Sequence, residues 1–147
     1  MPHSYTQLFV HAVWATKRRA KVITPETQPR LFAYISGVAS NIGAQALAVG
    51  GVEDHVHVLL QLPANLPVSK AVAAIKANSG RWLNDTYPEI EFGQWQEGYA
   101  AFSISIAGVG RTENYIRNQA EHHKQESYQA ELRRFLLRHG IEEIELS

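Results

Sequence analysis

The sequence has no cysteine among its 147 residues. Without thiols it can form no disulfide framework and no thiolate metal site, so any metal must be held by histidine, carboxylate, amide or water. No apolar run approaches the roughly 20 residues that cross a bilayer, and the N-terminal residues lack the basic, apolar and small-residue blocks of a signal peptide. We therefore expect a cytoplasmic protein with no membrane partner.

An excess of charge of one sign is also lacking. The 14 basic and 14 acidic residues give a net charge of zero and a pI of about 7.1. This balance argues against a protein that coats nucleic acid through bulk charge. The charges are unevenly distributed, however, because Lys17, Arg18, Arg19 and Lys21 form a basic cluster. A local basic patch and an ordinary solvated turn both remain open for this cluster.

The order of predicted elements favours an α+β fold in one domain, as expected for a chain of 16.4 kDa. Alternating or apolar β-formers predict strands, and apolar residues at helical spacing predict helices. The predicted strands are residues 4–16, 44–53, 55–62 and 99–107, and the predicted helices are residues 24–43 and 68–83. Right-handed crossovers fold this βαββαβ order into a ferredoxin-like, four-stranded antiparallel sheet with two helices on one face.

The remaining residues, 107–147, are expected to form a C-terminal helical part. After the break at Gly108-Val109-Gly110, Thr112 is a candidate cap for a helix to about Gln125, and residues 129–138 predict another. The first of these helices has a thin apolar stripe with Ile116 as a main member. Such weak anchoring would let it dock on the bare face of the sheet or reach a second subunit.

Two histidines separated by one apolar residue begin the third predicted strand, in the segment Asp54-His55-Val56-His57-Val58. Side chains alternate along a strand, so His55 and His57 share one face about 7 Å apart while Val56 and Val58 point into the core. Neutral imidazole is a common ligand for transition metals. The pattern therefore indicates either two ligands of a metal site or a solvent-facing strand that carries two histidines, with Asp54 as a cap or a supporting group.

Tyr115 and Gln119 stand four residues apart on the predicted late helix, so both project from one helical face. A glutamine carbonyl is a modest oxygen ligand, and a phenol can attack phosphorus when it is aligned and deprotonated. Taken without context, the spacing favours a tyrosine that packs on the sheet beside an exposed glutamine.

The chain resembles the IS200/IS605-type single-tyrosine transposases of the HUH endonuclease superfamily over nearly its whole length. The resemblance implies that residues 1–147 form a single transposase domain, that His55, His57 and Gln119 hold a divalent metal, Mg²⁺ or Mn²⁺, and that Tyr115 is the catalytic nucleophile. The matching segments, in family order, are Phe9 to Arg18, Asp54-His55-Val56-His57, Lys76-Ala77-Asn78-Ser79, Trp95 to Tyr99, and Tyr115 to Gln119 with His122-His123.

The family also implies an activity. Its members cleave and rejoin single-stranded DNA through a 5′-phosphotyrosine, recognise hairpins at element ends, and form homodimers; no small-molecule substrate is expected. Single-stranded DNA is bound by aromatic side chains that stack on bases and basic groups that follow phosphates. The candidates for DNA binding are Lys17, Arg18, Arg19, Lys76, Arg81, Trp95 and Tyr99.

Two other functions fit parts of the same pattern. A non-catalytic nucleic-acid-binding module shares the element order, but RNA-recognition domains place aromatics where this chain has His55 and His57. A His-x-His metal phosphoesterase would release its product to water. The agent that deprotonates Tyr115 stays open among hydroxide, substrate and a histidine such as His122, and His11 on the first strand can approach the metal site or serve the structure.

Overall fold

The computed structural model describes residues 4–142, so residues 143–147 of the predicted helical part lie outside the described residues. It confirms the α+β class and the four-stranded antiparallel sheet, whose spatial order is β2-β3-β1-β4. The elements are β1 (Leu8–Ala15), α1 (Gln28–Asn41), β2 (Gln45–Gly51), β3 (His55–Leu62), α2 (Val68–Thr86), β4 (Ala100–Ile104), α3 (Val109–Arg117), α4 (Gln119–His122) and α5 (Tyr128–Arg138).

The main core lies between one sheet face and the pair α1 and α2. Alternation along β3 sends Val56 and Val58 into this layer, as predicted, together with Leu60, and Trp14 of β1 joins them at 1% exposure. The helices contribute apolar side chains at helical spacing, such as Leu31 and Ile35 of α1 and Val72 and Ile75 of α2. Along residues 4–142, no helix combines the length and apolar character that a membrane span requires.

Several predicted boundaries were wrong for local reasons. Helix α1 begins at Gln28 and not after Thr24, because the Thr27 amide bonds back to the Thr24 carbonyl at 3.0 Å and closes a turn before the helix. Helix α3 begins at Val109 and ends at Arg117, where Asn118 leaves helical geometry. The predicted cap, Thr112, lies inside α3 and its hydroxyl donates to the Gly108 carbonyl at 2.9 Å.

The second sheet face carries His55 and His57, and the C-terminal helices cover it. Ile116 of α3 packs with Phe9, Ala48 and Leu59 in a smaller apolar cluster. Helix α5 is capped by Ser127, whose hydroxyl accepts from the Ala130 amide at 3.2 Å. Its Phe135 stacks on Phe102 of β4 with ring centroids 5.5 Å apart. The bare face expected from the βαββαβ order is thus closed within one chain.

Candidate functional site

Neighbouring strands bring three histidines to the second sheet face. In β3, His55 and His57 point away from α1 and α2. Val13 of β1 pairs with His57, so His11, two residues earlier on the same strand face, lies diagonally beside the His57 ring. All three rings are at most 2% exposed. The predicted shared face of His55 and His57 is therefore present, but it is buried under α4 and α5 and does not face solvent.

Four side chains meet there in a cluster that could hold a metal ion: His55, His57, His123 and Glu131, whose ligand atoms all lie within 4.8 Å of one another. Glu131 Oε1 lies 3.3 Å from His55 Nε2, 2.9 Å from His57 Nε2 and 3.1 Å from His123 Nε2. Ligands held at about 2.1 Å from one ion are separated by about 3.0–3.4 Å in octahedral or tetrahedral geometry. The cluster has the dimensions of a coordination shell.

The hydrogen-bonding capacity of His55 tests whether a cation fits. Its Nδ1 lies 2.7 Å from Asp54 Oδ1, and an ionised carboxylate is an acceptor, so Nδ1 carries the proton. In the neutral ring, Nε2 then has a lone pair, which faces Glu131 Oε1, His123 Nε2 at 3.1 Å and Gln119 Oε1 at 3.3 Å. One cation at their centre would satisfy these atoms together, and the donor set therefore fits a divalent metal.

The electrostatics of the cluster favour positive charge at the same point. Burial raises the pKa of the Glu131 carboxyl, but hydrogen bonds from His123, His55 and His57 outweigh burial and hold that pKa far below its usual range. Burial lowers the pKa of His55, yet hydrogen bonds to Asp54 and Glu131 raise it overall. Glu131 is thus an ionised carboxylate buried among imidazoles, an arrangement that a cation stabilises.

Tyr115 and Gln119 both reach this cluster, although the break at Asn118 places them on different helices, α3 and α4. The Tyr115 hydroxyl donates to Glu131 Oε2 and accepts from an Arg134 guanidinium nitrogen at 2.9 Å. Gln119 is 1% exposed. The structure therefore brings together all four residues that the sequence singled out for chemistry, His55, His57, Gln119 and Tyr115.

The groups around Tyr115 shift the pKa of its phenol in opposite directions. Burial, followed by the neighbouring Glu131 carboxylate, raises the pKa of the Tyr115 phenol, and the Arg134 cation opposes the rise. His122, a candidate for deprotonating the phenol, stacks on the Tyr115 ring with centroids 4.4 Å apart. The group that accepts the hydroxyl hydrogen bond is Glu131, 16 residues further along the chain.

His123 and Glu131 are the two cluster members that were missed as ligands. His123 was noted as part of a matching segment but was given no role. Glu131 stands three residues after Tyr128 and four before Phe135, which is the spacing of a buried helical stripe. A carboxylate on such a stripe was the available signal, but the pattern cannot say which distant residues it meets.

The predicted DNA-binding residues lie in different settings. Lys17, Arg18 and Arg19 are exposed on a single helical turn after β1, and Arg18 and Arg19 have the left-handed φ values 58° and 52°. Arg81 is exposed on α2, and the Tyr99 ring is 42% exposed. By contrast, the ammonium group of Lys76 donates to the carbonyls of Gln96 and Gly98 at 2.7 and 2.8 Å. These two hydrogen bonds tie the loop before β4 to α2.

Trp95, predicted to stack on a base, lies in the core of the structure. Trp95 is 7% exposed and packs edge-on against Trp14 with ring centroids 6.0 Å apart. Its indole nitrogen donates to the Ser79 hydroxyl at 3.1 Å. An indole that is held in the core and hydrogen-bonded there presents no free face to a base. Trp82 of α2 is half-buried and stacks on Tyr34.

The fold and the site together define a class: an α+β protein whose antiparallel sheet carries a candidate divalent-metal centre beside a tyrosine hydroxyl. The profile of the family described as "Transposase IS200 like" matches residues 4–119. This match covers most of the chain, which belongs to the IS200-like transposase family. His123 and Glu131 lie beyond the matched residues.

Individual relatives agree with this membership. The chain is 26% identical over 118 residues to the ISDra2 transposase TnpA of Deinococcus radiodurans, covering 77% of this chain and 84% of that protein. It is 22% identical over 129 residues to the transposase for insertion sequence element IS200 of Salmonella typhimurium, covering 84% of each.

Solved structures have the same fold. A crystal structure described as a candidate transposase from Deinococcus radiodurans superimposes with a TM-score of 0.66 at 26% identity, covering 81% of this chain and 95% of that one. A REP-associated tyrosine transposase bound to a REP hairpin superimposes with a TM-score of 0.55 at 18% identity, covering 79% of this chain and 68% of that one.

Proposed function

We propose that this protein is a divalent-metal-dependent transposase that cleaves and rejoins single-stranded DNA through a covalent 5′-phosphotyrosine at Tyr115. One observation carries the proposal: a single carboxylate, Glu131, contacts three imidazoles through one oxygen and accepts the Tyr115 hydroxyl hydrogen bond through the other. A nucleophile and a candidate metal centre therefore lie side by side, as a phosphoryl-transfer site requires.

His55, His57 and Gln119 would hold the metal, with His123 and Glu131 as additional ligands. Three nitrogen ligands favour Mn²⁺ over Mg²⁺ on ligand preference, and both remain candidates. When bound, the cation would stabilise the negative charge that develops on the oxygens of the scissile phosphate. The second ring nitrogen of His55 is already held by Asp54, which fixes the orientation of that ligand.

Tyr115 supplies the covalent chemistry. Its oxygen attacks the phosphorus, a bond from phosphorus to the tyrosine oxygen forms, and the bond to the 3′ oxygen of the preceding nucleotide breaks. The departing oxygen takes a proton and becomes a free 3′-hydroxyl. Before the attack, the phenol proton stays on Tyr115 and is donated as a hydrogen bond to Glu131 Oε2, and the Arg134 cation, 2.9 Å from the phenol oxygen, favours the phenolate. The reverse attack by a 3′-hydroxyl rejoins strands without ATP, because the phosphodiester energy is kept in the covalent link.

The exposed basic turn after β1 is proposed to bind the DNA backbone, and Tyr99 to stack on a base. Burial, then the charges of Glu131 and Asp54, raise the pKa of Tyr128 to about 12, and Arg19 opposes this rise. The charge of Arg19 therefore acts on Tyr128, whose ring lies against His55 of the cluster with centroids 4.7 Å apart. Hairpin recognition is proposed by analogy with the relative bound to a REP hairpin. The homodimer stays a prediction, since one chain already gathers the cluster and Tyr115.

A denaturation-resistant adduct tests the proposal. The protein is incubated with Mn²⁺ and 3′-labelled single strands from the DNA that flanks its gene, each with an imperfect palindrome, and then denatured. We expect labelled protein from the wild type and background signal from Tyr115→Phe. Tyr34→Phe, a change in α1, serves as the matched control and should keep the adduct.

Each other outcome points to a different nucleophile or to a different function. An adduct that persists in Tyr115→Phe would show that another residue is the nucleophile. Cleavage without an adduct would favour a phosphoesterase that releases its product to water. Binding of the hairpin strand with no cleavage under any divalent metal would favour a non-catalytic nucleic-acid-binding module.

A further inference from the structure

His11 is a buried titratable group that the chemistry above does not use. It lies on β1, is 2% exposed, and its Nε2 is 2.7 Å from Nδ1 of the His57 ring. Its ring is held from several sides: centroids of Phe135, Phe102 and Tyr115 lie 5.2, 6.4 and 6.4 Å away, each in an edge-on arrangement. A ring so confined can hold its neighbour in one orientation.

The contact between the two rings fixes where protons can lie. Two imidazole nitrogens 2.7 Å apart need one proton between them, since two lone pairs or two N–H groups would repel. The opposite nitrogen of His57, Nε2, faces Glu131 Oε1 at 2.9 Å inside the metal cluster. A metal ligand must offer a lone pair, so with a cation present His57 carries its proton on Nδ1 and donates it to His11 Nε2.

We propose that His11 is a positioning residue that holds His57 in the tautomer and orientation in which its Nε2 lone pair points at a divalent cation. This inference rests on the metal dependence of the proposed function. His11 contacts Nδ1 of His57, just as Asp54 contacts Nδ1 of His55. Each histidine of the His-x-His pair therefore has a hydrogen-bond partner on the ring nitrogen opposite the cluster.

The electrostatics of the pair are consistent with this role. Burial and the neighbouring His57 lower the pKa of His11 to about 3. Burial also lowers the pKa of His57 to about 4, despite the hydrogen bond to Glu131. A neutral His11 ring can accept the hydrogen bond from His57, where a doubly protonated ring cannot.

The test uses three variants of the full chain and Mn²⁺ as the probe, with affinity measured by calorimetry. His11→Phe keeps an aromatic ring but removes the acceptor, and we expect Mn²⁺ binding about 10- to 100-fold weaker, as is typical when a supporting hydrogen-bond partner of a ligand is lost. His11→Gln restores an acceptor at similar reach and should bind within a few-fold of the wild type. Phe9→Leu, on the same strand face but outside the metal cluster, is the matched packing control and should bind normally.

A second measurement reads the tautomer without activity. Long-range ¹H–¹⁵N spectra of the Zn²⁺-loaded protein should show His57 protonated on Nδ1 in the wild type and in His11→Gln. The inference is overturned if folded His11→Phe binds Mn²⁺ as tightly as the wild type, if His11→Gln binds as weakly as His11→Phe, or if His57 Nδ1 carries no proton. Failure of the wild type to bind Mn²⁺, Mg²⁺ or Zn²⁺ overturns the metal dependence itself and this inference with it.

Discussion

Single hydrogen bonds decide what the imidazoles at this site can do. Asp54 holds His55 and His11 holds His57, so two ring nitrogens are committed outside the cluster and the opposite two face inward. Asp54, predicted as a cap or a supporting group, lies 2.7 Å from His55 Nδ1, on the side of the ring away from the cluster. Glu131 contacts the imidazole cluster through one carboxylate oxygen and the Tyr115 hydroxyl through the other.

Glu131→Gln tests the carboxylate at this scale. The substitution keeps the shape of the side chain but removes a negative charge that faces three imidazoles, so we expect Mn²⁺ affinity to fall about 100-fold or more, beyond the loss typical of supporting residues. Calorimetric titration with Mn²⁺ checks this. The control is Glu121→Gln, whose carboxylate is 73% exposed and pairs with Lys124 at 3.0 Å. Equal Mn²⁺ affinities for the two variants would remove Glu131 from the ligand set.

At the scale of the elements, the distance between α3 and the sheet sets the position of Tyr115. Gly50 of β2 lies directly under the Ile116 carbonyl, so a Cβ at position 50 would collide with the backbone of α3. Ile116 is fully buried against Ala48 and Leu59, and it follows Tyr115 in the chain. A glycine in β2 therefore allows the close approach that brings the phenol to Glu131.

Gly50→Ala should move α3 away from the sheet. We expect a loss of about 1–3 kcal/mol in the free energy of unfolding, as for overpacked cores, together with reduced formation of the DNA adduct. Chemical denaturation and the adduct assay measure the two effects. Gly110→Ala is the matched control in α3, because no atom lies within 4 Å of its added Cβ, and it should cost no stability. Wild-type stability in Gly50→Ala would show that α3 is not held by this contact.

For the molecule as a whole, the sheet separates two layers with different tasks. Helices α1 and α2 cover one face and form the main apolar core, while α3, α4 and α5 cover the other and bury the polar cluster. The cluster takes His55 and His57 from β3, His123 from just after α4, and Glu131 from α5. It therefore exists only in the folded chain. Protonation of its buried groups is therefore coupled to the stability of the whole fold.

This coupling predicts a loss of stability in acid. The pKa values of His11 and His57 are lowered from 6.5 to about 3 and about 4, mainly by burial, so between pH 6.5 and 4 the unfolded chain binds more protons than the folded one. Glu131, whose pKa is also lowered, acts in the same direction below its ordinary value of 4.5. His55, with a raised pKa, opposes the trend, and Asp54, with a lowered pKa, adds to it.

Thermal unfolding of the metal-free protein from pH 7 to pH 4 measures the effect. We expect the midpoint temperature to fall as the pH is lowered, and to fall less steeply in His11→Phe, which lacks one of the buried histidines. Phe9→Leu should keep the wild-type slope at a lower midpoint. A midpoint that is constant or rises toward pH 4 would contradict the assignment of neutral, buried rings.

The sequence by itself determined the features that depend on local periodicity. The two-residue repeat of a strand put His55 and His57 on one face with Val56 on the other, and turn and apolar patterns fixed the βαββαβ order. Because the family segments occur along the chain in order, Tyr115 and Gln119 could also be singled out. The strand pattern and the fold class were confirmed because they rest on backbone geometry over a few residues, whereas the roles of Tyr115 and Gln119 stay predictions.

Only the tertiary structure decided which side chains from distant segments meet. Glu131 lies 74 residues from its partner His57, and nothing local marks that pairing. Trp95 looked like a stacking aromatic until packing placed it against Trp14 in the core. Long-range contacts depend on how whole layers pack, and the same residue type can serve the core, a ligand set or a binding surface. Which of these roles a residue has depends on its burial and on its contacts, and both are properties of the folded chain.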